Sequence, residues 1–141
     1  MTATATRTLE IVEKELSYQV VGAFYYTYNE LGFGLLESAY SRALAIVLRE
    51  RGIVVDRECM VPLSFHGQDI GLQRLDMLVE GRVIVEIKAT ESLPYIARRQ
   101  LRSYLKATGM RLGLLLHFGP KPLYYRELGA KQPHDPAKAF A

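Results

Sequence analysis

Apolar residues recur at helical spacing over two stretches in the first third of the chain. Within residues 8–31 they return every three or four positions, which predicts an amphipathic helix. Gly32 and Gly34 interrupt this pattern, and a second stripe with the same spacing predicts a helix over residues 35–51. We expect Gly52 to end that helix, because glycine readily adopts the left-handed conformation that often follows a helix.

The middle of the chain changes to a β pattern. Residues 53–65 are rich in Val, Ile and Phe, and residues 70–79 and 82–89 follow after turns that contain glycine, so three strands are predicted. Pro62 favours an edge position or a bulge for the first of them, because proline cannot donate a hydrogen bond to a neighbouring strand.

A helix and two further strands complete the pattern. Residues 93–108 predict a helix, with Ser92 as its N-cap and Pro94 in its first turn. Residues 112–118 form a continuous apolar run, typical of a strand covered on both faces, and residues 122–128 predict a last short strand. The third strand, this helix and the fourth strand have the length of a parallel crossover. The order ααβββαββ therefore predicts the α/β class, with a mixed β-sheet flanked by helices.

The composition is that of an ordinary globular protein. Its 141 residues suit a single domain, which we expect over residues 1–128, followed by a flexible tail over residues 129–141 where Gly, Lys and Pro cluster. Cys59 is the single cysteine, which excludes a disulfide framework and a multi-cysteine metal site. No apolar run reaches the roughly 18 residues of a membrane span, so we expect a cytoplasmic protein that does not bind membranes.

The net charge of +3 conceals a strong asymmetry between the two parts of the chain. Residues 1–91 carry 13 acidic and 9 basic side chains, a net charge of −4, whereas residues 92–141 carry 2 acidic and 9 basic side chains, a net charge of +7. From Ser92 to Arg126 there are seven Lys or Arg and no carboxylate. This asymmetry favours a region that faces a polyanion such as nucleic acid. The alternative is a basic edge balanced by an acidic partner or by the acidic first part of the chain.

Three charged residues interrupt the apolar pattern of the second and third strands. Glu86 and Lys88 are two residues apart and therefore project from the same face of their strand. If Val79 pairs with Val83 across a three-residue turn, Asp76 lies opposite Glu86. This register keeps the apolar and polar faces separate, whereas a two-residue turn would mix them. The pattern therefore predicts two adjacent carboxylates beside a lysine.

Two carboxylates about 5 Å apart repel each other unless a cation or a proton lies between them. Mg²⁺ prefers oxygen ligands and binds through one or two carboxylates together with substrate phosphates, and Lys88 would add a positive charge for such a phosphate. The same register places Leu75 and Met77 together on the apolar face. The alternative is that Glu86 and Lys88 form the solvated face of an edge strand, with Asp76 in an ordinary ion pair.

Polar residues on two predicted helices extend this set. Glu37 lies beside the apolar stripe of the second helix and could point at the sheet, while Gln100 and Tyr104 lie four residues apart on one face of the third helix. Gln100 and Tyr104 could equally form a packing pair at the rim of the core, and the neighbouring basic residues a solvated face. Those basic residues are Arg98, Arg99, Arg102 and Lys106.

The segment GLLESAY, residues 34–40, matches the GxxExxY signature of a family of small prokaryotic proteins. The resemblance continues through RLDMLVEGRVIVEIKA, QLRSYLKATG and LGLLLHFG and covers roughly residues 9–127. The chain thus resembles the GxxExxY family, which is grouped with the PD-(D/E)xK nuclease superfamily. The resemblance implies a restriction-endonuclease-like core of order α-β-β-β-α-β, which agrees with the predicted elements.

The resemblance also implies roles for the charged residues. Glu37 is implied as the helix acid, Asp76 as the first strand acid, and Glu86 with Lys88 as the E-x-K pair. One departure is Leu75, which stands where proline precedes the first acid in the superfamily motif. Gln100 and Tyr104 resemble the Q-x-x-x-Y motif of RecB-type members.

The sequence therefore supports the hypothesis of a divalent-metal-dependent nuclease acting on DNA or RNA. Asp76, Glu86, Glu37 and the carbonyl of Ile87 would hold Mg²⁺ or Mn²⁺, and Lys88 would orient or deprotonate a water or neutralise the phosphate. Gln100 and Tyr104 would position the nucleic acid, whose backbone would be contacted by the basic residues Arg98, Arg99, Arg102 and Lys106.

We expect cleavage without readout of base sequence, because the chain has no helix-turn-helix, zinc finger or second domain. Targeting could then depend on a partner protein, and a homodimer is possible. The alternative function is a non-catalytic module on the same fold that binds nucleic acid or an acidic protein.

Overall fold

Two helices, three strands, a helix and two strands follow one another along the chain, in the predicted order. The structure is a computed structural model that describes residues 3–130, with side chains from Glu13 onward. Most of the tail predicted over residues 129–141 lies outside the described residues. The elements are α1 (Ala3–Leu31), α2 (Glu37–Glu50), β1 (Val55–Phe65), β2 (Gln68–Val79), β3 (Val83–Lys88), α3 (Ala97–Thr108), β4 (Leu112–Phe118) and β5 (Pro122–Leu128).

The five strands form one mixed sheet in the order β1-β2-β3-β4-β5. The β3–β4 pair is parallel and is connected through α3, as predicted, while the other neighbouring pairs are antiparallel. Every residue of β4 is buried, as expected for a central strand covered on both faces. The α/β class and the mixed sheet predicted from the sequence are confirmed.

Helices cover both faces of the sheet, and each face has its own apolar core. On one face α1 and α2 pack against β3 and β4 through residues such as Phe24, Leu44 and Val85, which we call the α1–α2 cluster. On the other face α3 packs against the sheet through a second set of buried residues, which we call the α3 cluster. Its members include Leu101, Leu105, Ile84 and Leu115. Since Ile84 faces α3, the alternation along β3 directs Glu86 and Lys88 to the same side.

Gly113 allows α3 to lie close against the central strand. A Cβ atom at this position would lie 2.7 Å from Leu101 Cδ1, closer than side-chain carbons approach one another. The absence of a side chain on Gly113 therefore fixes the distance between α3 and β4. Within residues 3–130, none of the helices combines the length and the apolarity needed to cross a membrane.

The predicted register between β2 and β3 is found in the structure. Val79 lies opposite Val83, and the pairing extends to Met77 opposite Val85. Asp76 is the next residue along β2, where the regular ladder ends.

The predicted position of Leu75 is wrong. We expected Leu75 on the same face as Met77, but it packs in the α3 cluster whereas Met77 packs in the α1–α2 cluster. The neighbouring strand also changes face, since Val55 lies in the α1–α2 cluster and Val61 in the α3 cluster. Glu58, between them, has a φ of 54° and interrupts the two-residue alternation of β1. It lies opposite the point at which β2 changes face between Leu75 and Met77.

The predicted beginning of α3 is also wrong. Ser92 does not cap the helix and Pro94 does not lie in it, because α3 begins at Ala97, after Ile96, with no side-chain cap. Proline disfavours the helical conformation in the residue before it, so the chain first makes a turn in which the Ala97 N–H donates to the Pro94 carbonyl at 3.0 Å. The helix ends as expected at a left-handed glycine, Gly109, whose φ is 73°.

Candidate active site

Asp76 and Glu86 lie together where the ladder between β2 and β3 opens. The Ile87 N–H donates to Asp76 Oδ2 at 2.9 Å, and the Asp76 N–H donates to Glu86 Oε1 at 3.4 Å. Each carboxyl group therefore receives a backbone N–H from the opposite strand at the end of the regular pairing. The predicted register thus places the two carboxyl groups next to each other on the α3 side of the sheet.

Glu86 cannot readily carry a negative charge in this environment. Glu86 is buried, with only 8% of its surface exposed to solvent. Burial, the negative charge of Asp76 and a hydrogen bond between the two carboxyl groups raise the pKa of Glu86 to about 9, while Lys88 and the Asp76 backbone oppose this shift. Without a cation, the pair therefore holds a proton at neutral pH.

This pair fits a hard divalent cation by the chemistry of its donors. The side chains offer oxygen ligands, and a cation would compensate the repulsion that now requires a proton. Among the described residues, no three or more His, Cys, Asp or Glu side chains, Glu37 with this pair included, lie close enough together to hold a metal ion by themselves. Two carboxylates suffice for Mg²⁺, which keeps several waters and uses phosphate oxygens as further ligands.

Glu37 approaches the same carboxyl groups from α2, of which it is the first residue. Burial and the negative charge of Asp76 raise the pKa of Glu37, while the positive charges of Lys88 and Arg74 lower it. Asp76 and Lys88 therefore each lie within electrostatic reach of Glu37. The structure therefore places Glu37 near the carboxyl pair and Lys88, but not as the third member of a described acidic cluster that could hold a metal ion.

Tyr40 determines how the chain enters α2 just before Glu37. Its hydroxyl group donates to the Gly32 carbonyl and accepts from the Leu35 N–H, the latter at 3.2 Å. The ring is fully buried and stacks on Phe118, with the ring centroids 4.2 Å apart. Tyr40 thereby fixes the turn between α1 and α2 to the core and orients the first turn of α2.

Tyr104 faces the carboxyl groups from α3. Its ring is half-buried, and burial followed by the negative charges of Glu86 and Asp76 raises the pKa of its hydroxyl group. Gln100 lies one turn earlier on the helix and is exposed. Tyr104 is thus part of the same arrangement, and helical spacing places Gln100 on the same flank of α3.

The basic residues of α3 divide between two surroundings. Arg98 Nε and Arg102 Nη1 lie 2.6 Å and 3.3 Å from Glu127 Oε1 on β5, and the Arg98 guanidinium lies over the ring of Tyr125. Arg99 and Lys106, in contrast, are exposed and line an open pocket along α3 together with Arg102. Two of the four predicted phosphate ligands are therefore engaged by β5.

Glu127 was missed by the sequence reasoning. It is 7% exposed, and it is the first carboxylate after the acid-free stretch from Ser92 to Arg126. Its position in the sequence could have indicated this role, because a single acidic residue next to a basic stretch can form ion pairs with several of the basic side chains.

Comparisons with known proteins bear on the family and the fold of the chain. A family model described as PD-(D/E)XK nuclease superfamily matches residues 14–127. This range includes both strand acids, Lys88, Glu37 and the whole of α3.

A solved structure titled "Crystal structure of SSO0001" is similar to this chain, with 22% sequence identity and a TM-score of 0.53. The similarity covers 74% of this chain but 54% of the other, so this chain spans about half the length of that protein. At this identity the likeness concerns the fold, which is restriction-endonuclease-like. No curated protein matches the chain.

Proposed function

The chain belongs to the PD-(D/E)XK nuclease superfamily, and from this premise we propose that it hydrolyses phosphodiester bonds in DNA or RNA with Mg²⁺ or Mn²⁺ bound at Asp76 and Glu86. Members of this superfamily act on nucleic acids and typically use divalent metals. The observation that carries the proposal is the carboxyl pair, in which Glu86 lies 8% exposed beside Asp76 and keeps a proton unless a cation replaces it. Gly34, Glu37 and Tyr40 have the spacing of the GxxExxY group, to which we assign the chain within the superfamily.

Asp76, Glu86 and the carbonyl of Ile87 would hold the cation, and Glu37 would bind it directly or through a water. When bound, such a cation polarises the phosphate and lowers the pKa of a coordinated water. Lys88 follows Glu86 on the same face of β3, where its ammonium group can hold a water or offset the negative charge that develops on the phosphate. Its proximity to Glu37 and Glu86, whose pKa values it lowers, supports this position.

Tyr104 and Gln100 would position the nucleic acid beside the carboxyl pair, since both lie on the flank of α3 that faces it. Arg99 and Lys106, which are exposed, are available for backbone phosphates. Arg98 and Arg102 could contact phosphates only by sharing or leaving Glu127. We treat residues 1–128 as one nuclease domain that contacts the backbone, which fixes position on the strand without reading base sequence.

The proposal is tested by measuring cleavage of single-stranded, duplex and branched DNA and RNA with Mn²⁺ or Mg²⁺. Glu86→Ala and Lys88→Ala should each lower the rate on the preferred substrate by at least about a hundred-fold, because each removes a group that acts on the reacting phosphate. Glu91→Ala and Lys121→Ala are matched controls, since both residues are exposed and lie outside the site.

Cleavage that requires the metal and Glu86 supports the nuclease. Binding to these substrates with no metal-dependent, Glu86-dependent cleavage of any of them overturns the proposal and favours a non-catalytic binding module. Cleavage that persists in Glu86→Ala at the level of the Glu91→Ala control also overturns it, because the activity then comes from another site or from a contaminant.

A further inference from the structure

A groove of about 480 Å³ separates α3 from the hairpin formed by β1 and β2. Leu63, Ile70 and Gln73 line it on the hairpin side, and Ser103, Tyr104 and Lys106 on the helix side. We call it the hairpin groove. Its volume lies within the roughly 300–1,000 Å³ range of sites that bind one small organic molecule, so it can hold a short piece of a single chain.

A β-bulge directs an apolar side chain at this groove. Leu63 pairs with Gly71 and Ser64 pairs with Asp69, so that Ile70 is the extra residue, without a partner on β1. Gly71 has a φ of 132°, and its N–H donates to Asp69 Oδ1 at 2.8 Å, which stabilises the bulge. Bulges commonly re-aim a side chain near a functional site. Ile70 remains 63% exposed although it lines the groove.

The two sides of the hairpin groove have different chemistry. The hairpin side is mainly apolar, with Leu63 and Ile70, whereas the helix side carries the ammonium group of Lys106 and the hydroxyl groups of Ser103 and Tyr104. No carboxylate is among the residues that line it. An occupant with a flat apolar surface along one edge and negative charge along the other would match both sides.

The hairpin groove is continuous with the candidate active site through Tyr104. Tyr104 lines the groove and also packs against the α3 cluster, which contains Leu75 and Ile84. Leu75 precedes Asp76 on β2, and Ile84 lies two residues before Glu86 on the same face of β3, so the groove ends beside the strand positions that carry both carboxyl groups. A chain lying in the groove would therefore pass from the hairpin to the carboxyl pair.

We propose that the hairpin groove binds a single-stranded segment of the nucleic acid, with its bases against Leu63 and Ile70 and its phosphates near Lys106. Unpaired bases expose the faces that an apolar wall can contact, whereas a duplex keeps them stacked and presents its charged backbones. This inference rests on the proposed function and narrows its substrate to nucleic acid that is single-stranded next to the cleaved bond.

The test measures binding by fluorescence anisotropy in the full chain carrying Glu86→Ala, which prevents cleavage. The probes are a labelled single-stranded oligonucleotide of mixed sequence and the duplex of the same sequence. The single strand should bind about ten-fold or more tightly than the duplex, the difference expected from one or more base contacts.

Two substitutions test the walls of the groove, each against a matched control. Ile70→Asp and Lys106→Glu should each weaken single-strand binding by about five- to ten-fold. Leu72→Asp is the control for the first, because Leu72 is also 63% exposed on β2 but does not line the groove. Lys121→Glu is the control for the second, because it changes the net charge equally at an exposed site elsewhere.

Equal or tighter binding of the duplex would overturn the inference, and so would groove variants that bind like their controls. Either result leaves the proposed function intact if the wild-type chain cleaves duplex substrates in a Glu86-dependent way. If the wild-type chain cleaves nothing but the groove variants lose single-strand binding selectively, the nuclease proposal fails and the groove assignment stands.

Discussion

At the scale of single residues, the candidate site depends on the positions of a few polar side chains on β2, β3 and α2. Asp76, Glu86 and Lys88 could be predicted from the sequence because alternation along two strands and the length of one turn fix their relative positions. Tyr40 could be singled out only as part of a motif. Its contacts with the Gly32 carbonyl and Leu35 N–H depend on how α1 and α2 meet, which no local pattern specifies.

Tyr40→Phe should lower nuclease activity several-fold and destabilise the protein by about 1–2 kcal/mol. The substitution keeps the ring stacked on Phe118 but removes the hydroxyl group that holds the turn before Glu37, leaving the Leu35 N–H and the Gly32 carbonyl without this partner. Cleavage rates and urea denaturation curves measure the two effects.

Tyr26→Phe is a suitable control, because Tyr26 is 52% exposed on α1 and its ring faces the guanidinium group of Arg51. If Tyr40→Phe cleaves as fast as Tyr26→Phe while losing stability, Tyr40 supports the fold but does not orient Glu37.

At the scale of elements, the local sequence predicted the order of the helices and strands and the pairing of β2 with β3. It predicted less well which face of the sheet a side chain occupies and where a helix begins. The β2–β3 register was predicted because one turn and one apolar stripe decide it. The position of Leu75 was not, because β2 changes face opposite the irregular backbone of Glu58, and the local pattern of β2 does not contain that partner strand. Ser92 has a side chain that can cap a helix, but the chain first forms a turn in which the Ala97 N–H donates to the Pro94 carbonyl. The helix therefore begins only at Ala97.

Glu127 on β5 forms ion pairs with Arg98 and Arg102 on α3, and these ion pairs stabilise the packing of α3 against β5. Glu127→Gln should lower the free energy of unfolding by about 1–2 kcal/mol, since charge-assisted hydrogen bonds to Arg98 and Arg102 weaken. The released guanidinium groups should also bind phosphates, so nucleic-acid affinity should rise at low salt and fall more steeply as salt is added.

Denaturation curves and binding isotherms over a salt series check this prediction. Glu91→Gln removes the same charge at an exposed position of the loop before α3 and is the control. A salt dependence that is identical in the two variants would mean that Arg98 and Arg102 do not reach phosphates even when Glu127 is neutral.

At the scale of the whole molecule, the sheet separates two apolar cores and the site lies where β2 and β3 reach the edge of both. The sequence indicated a convergence of Glu37, Glu86 and Tyr104 only through its resemblance to the superfamily, because the residue patterns alone left Tyr104 open to a packing role at the rim of the core. It could not predict the hairpin groove. Part of its apolar wall is Ile70, the extra residue of a bulge, and a bulge is decided by the pairing between two strands.

The stability of the metal-free protein should fall as pH rises from 4.5 toward about 9. In this window Glu86 keeps its proton in the folded protein but ionises in the unfolded chain, because its pKa is raised from 4.5 to about 9. The folded state then binds more protons than the unfolded state, so the free energy of unfolding decreases with pH. Mn²⁺ should reverse the loss by taking the place of the proton.

Melting temperatures across that pH range, in EDTA and with Mn²⁺, measure this behaviour. Glu86→Gln cannot ionise, so its melting temperature should be less sensitive to pH than that of the wild type and should rise less with Mn²⁺. Glu50→Gln, at an exposed position of α2, should behave like the wild type. A parallel decline in the wild type and in Glu86→Gln would contradict the assignment.

Asp76 contributes to the hydrogen bonding of the sheet as well as to the candidate site, because its carboxyl group accepts a hydrogen bond from the Ile87 N–H. An alanine at Asp76 would leave a backbone donor of the central sheet without its acceptor, so a loss of activity in that variant would mix a folding defect with a chemical one. Asparagine retains an oxygen that can accept the same bond. An oxygen acceptor at this position therefore serves folding whether or not the chain cleaves, and a descendant that no longer cleaves should keep either aspartate or asparagine there.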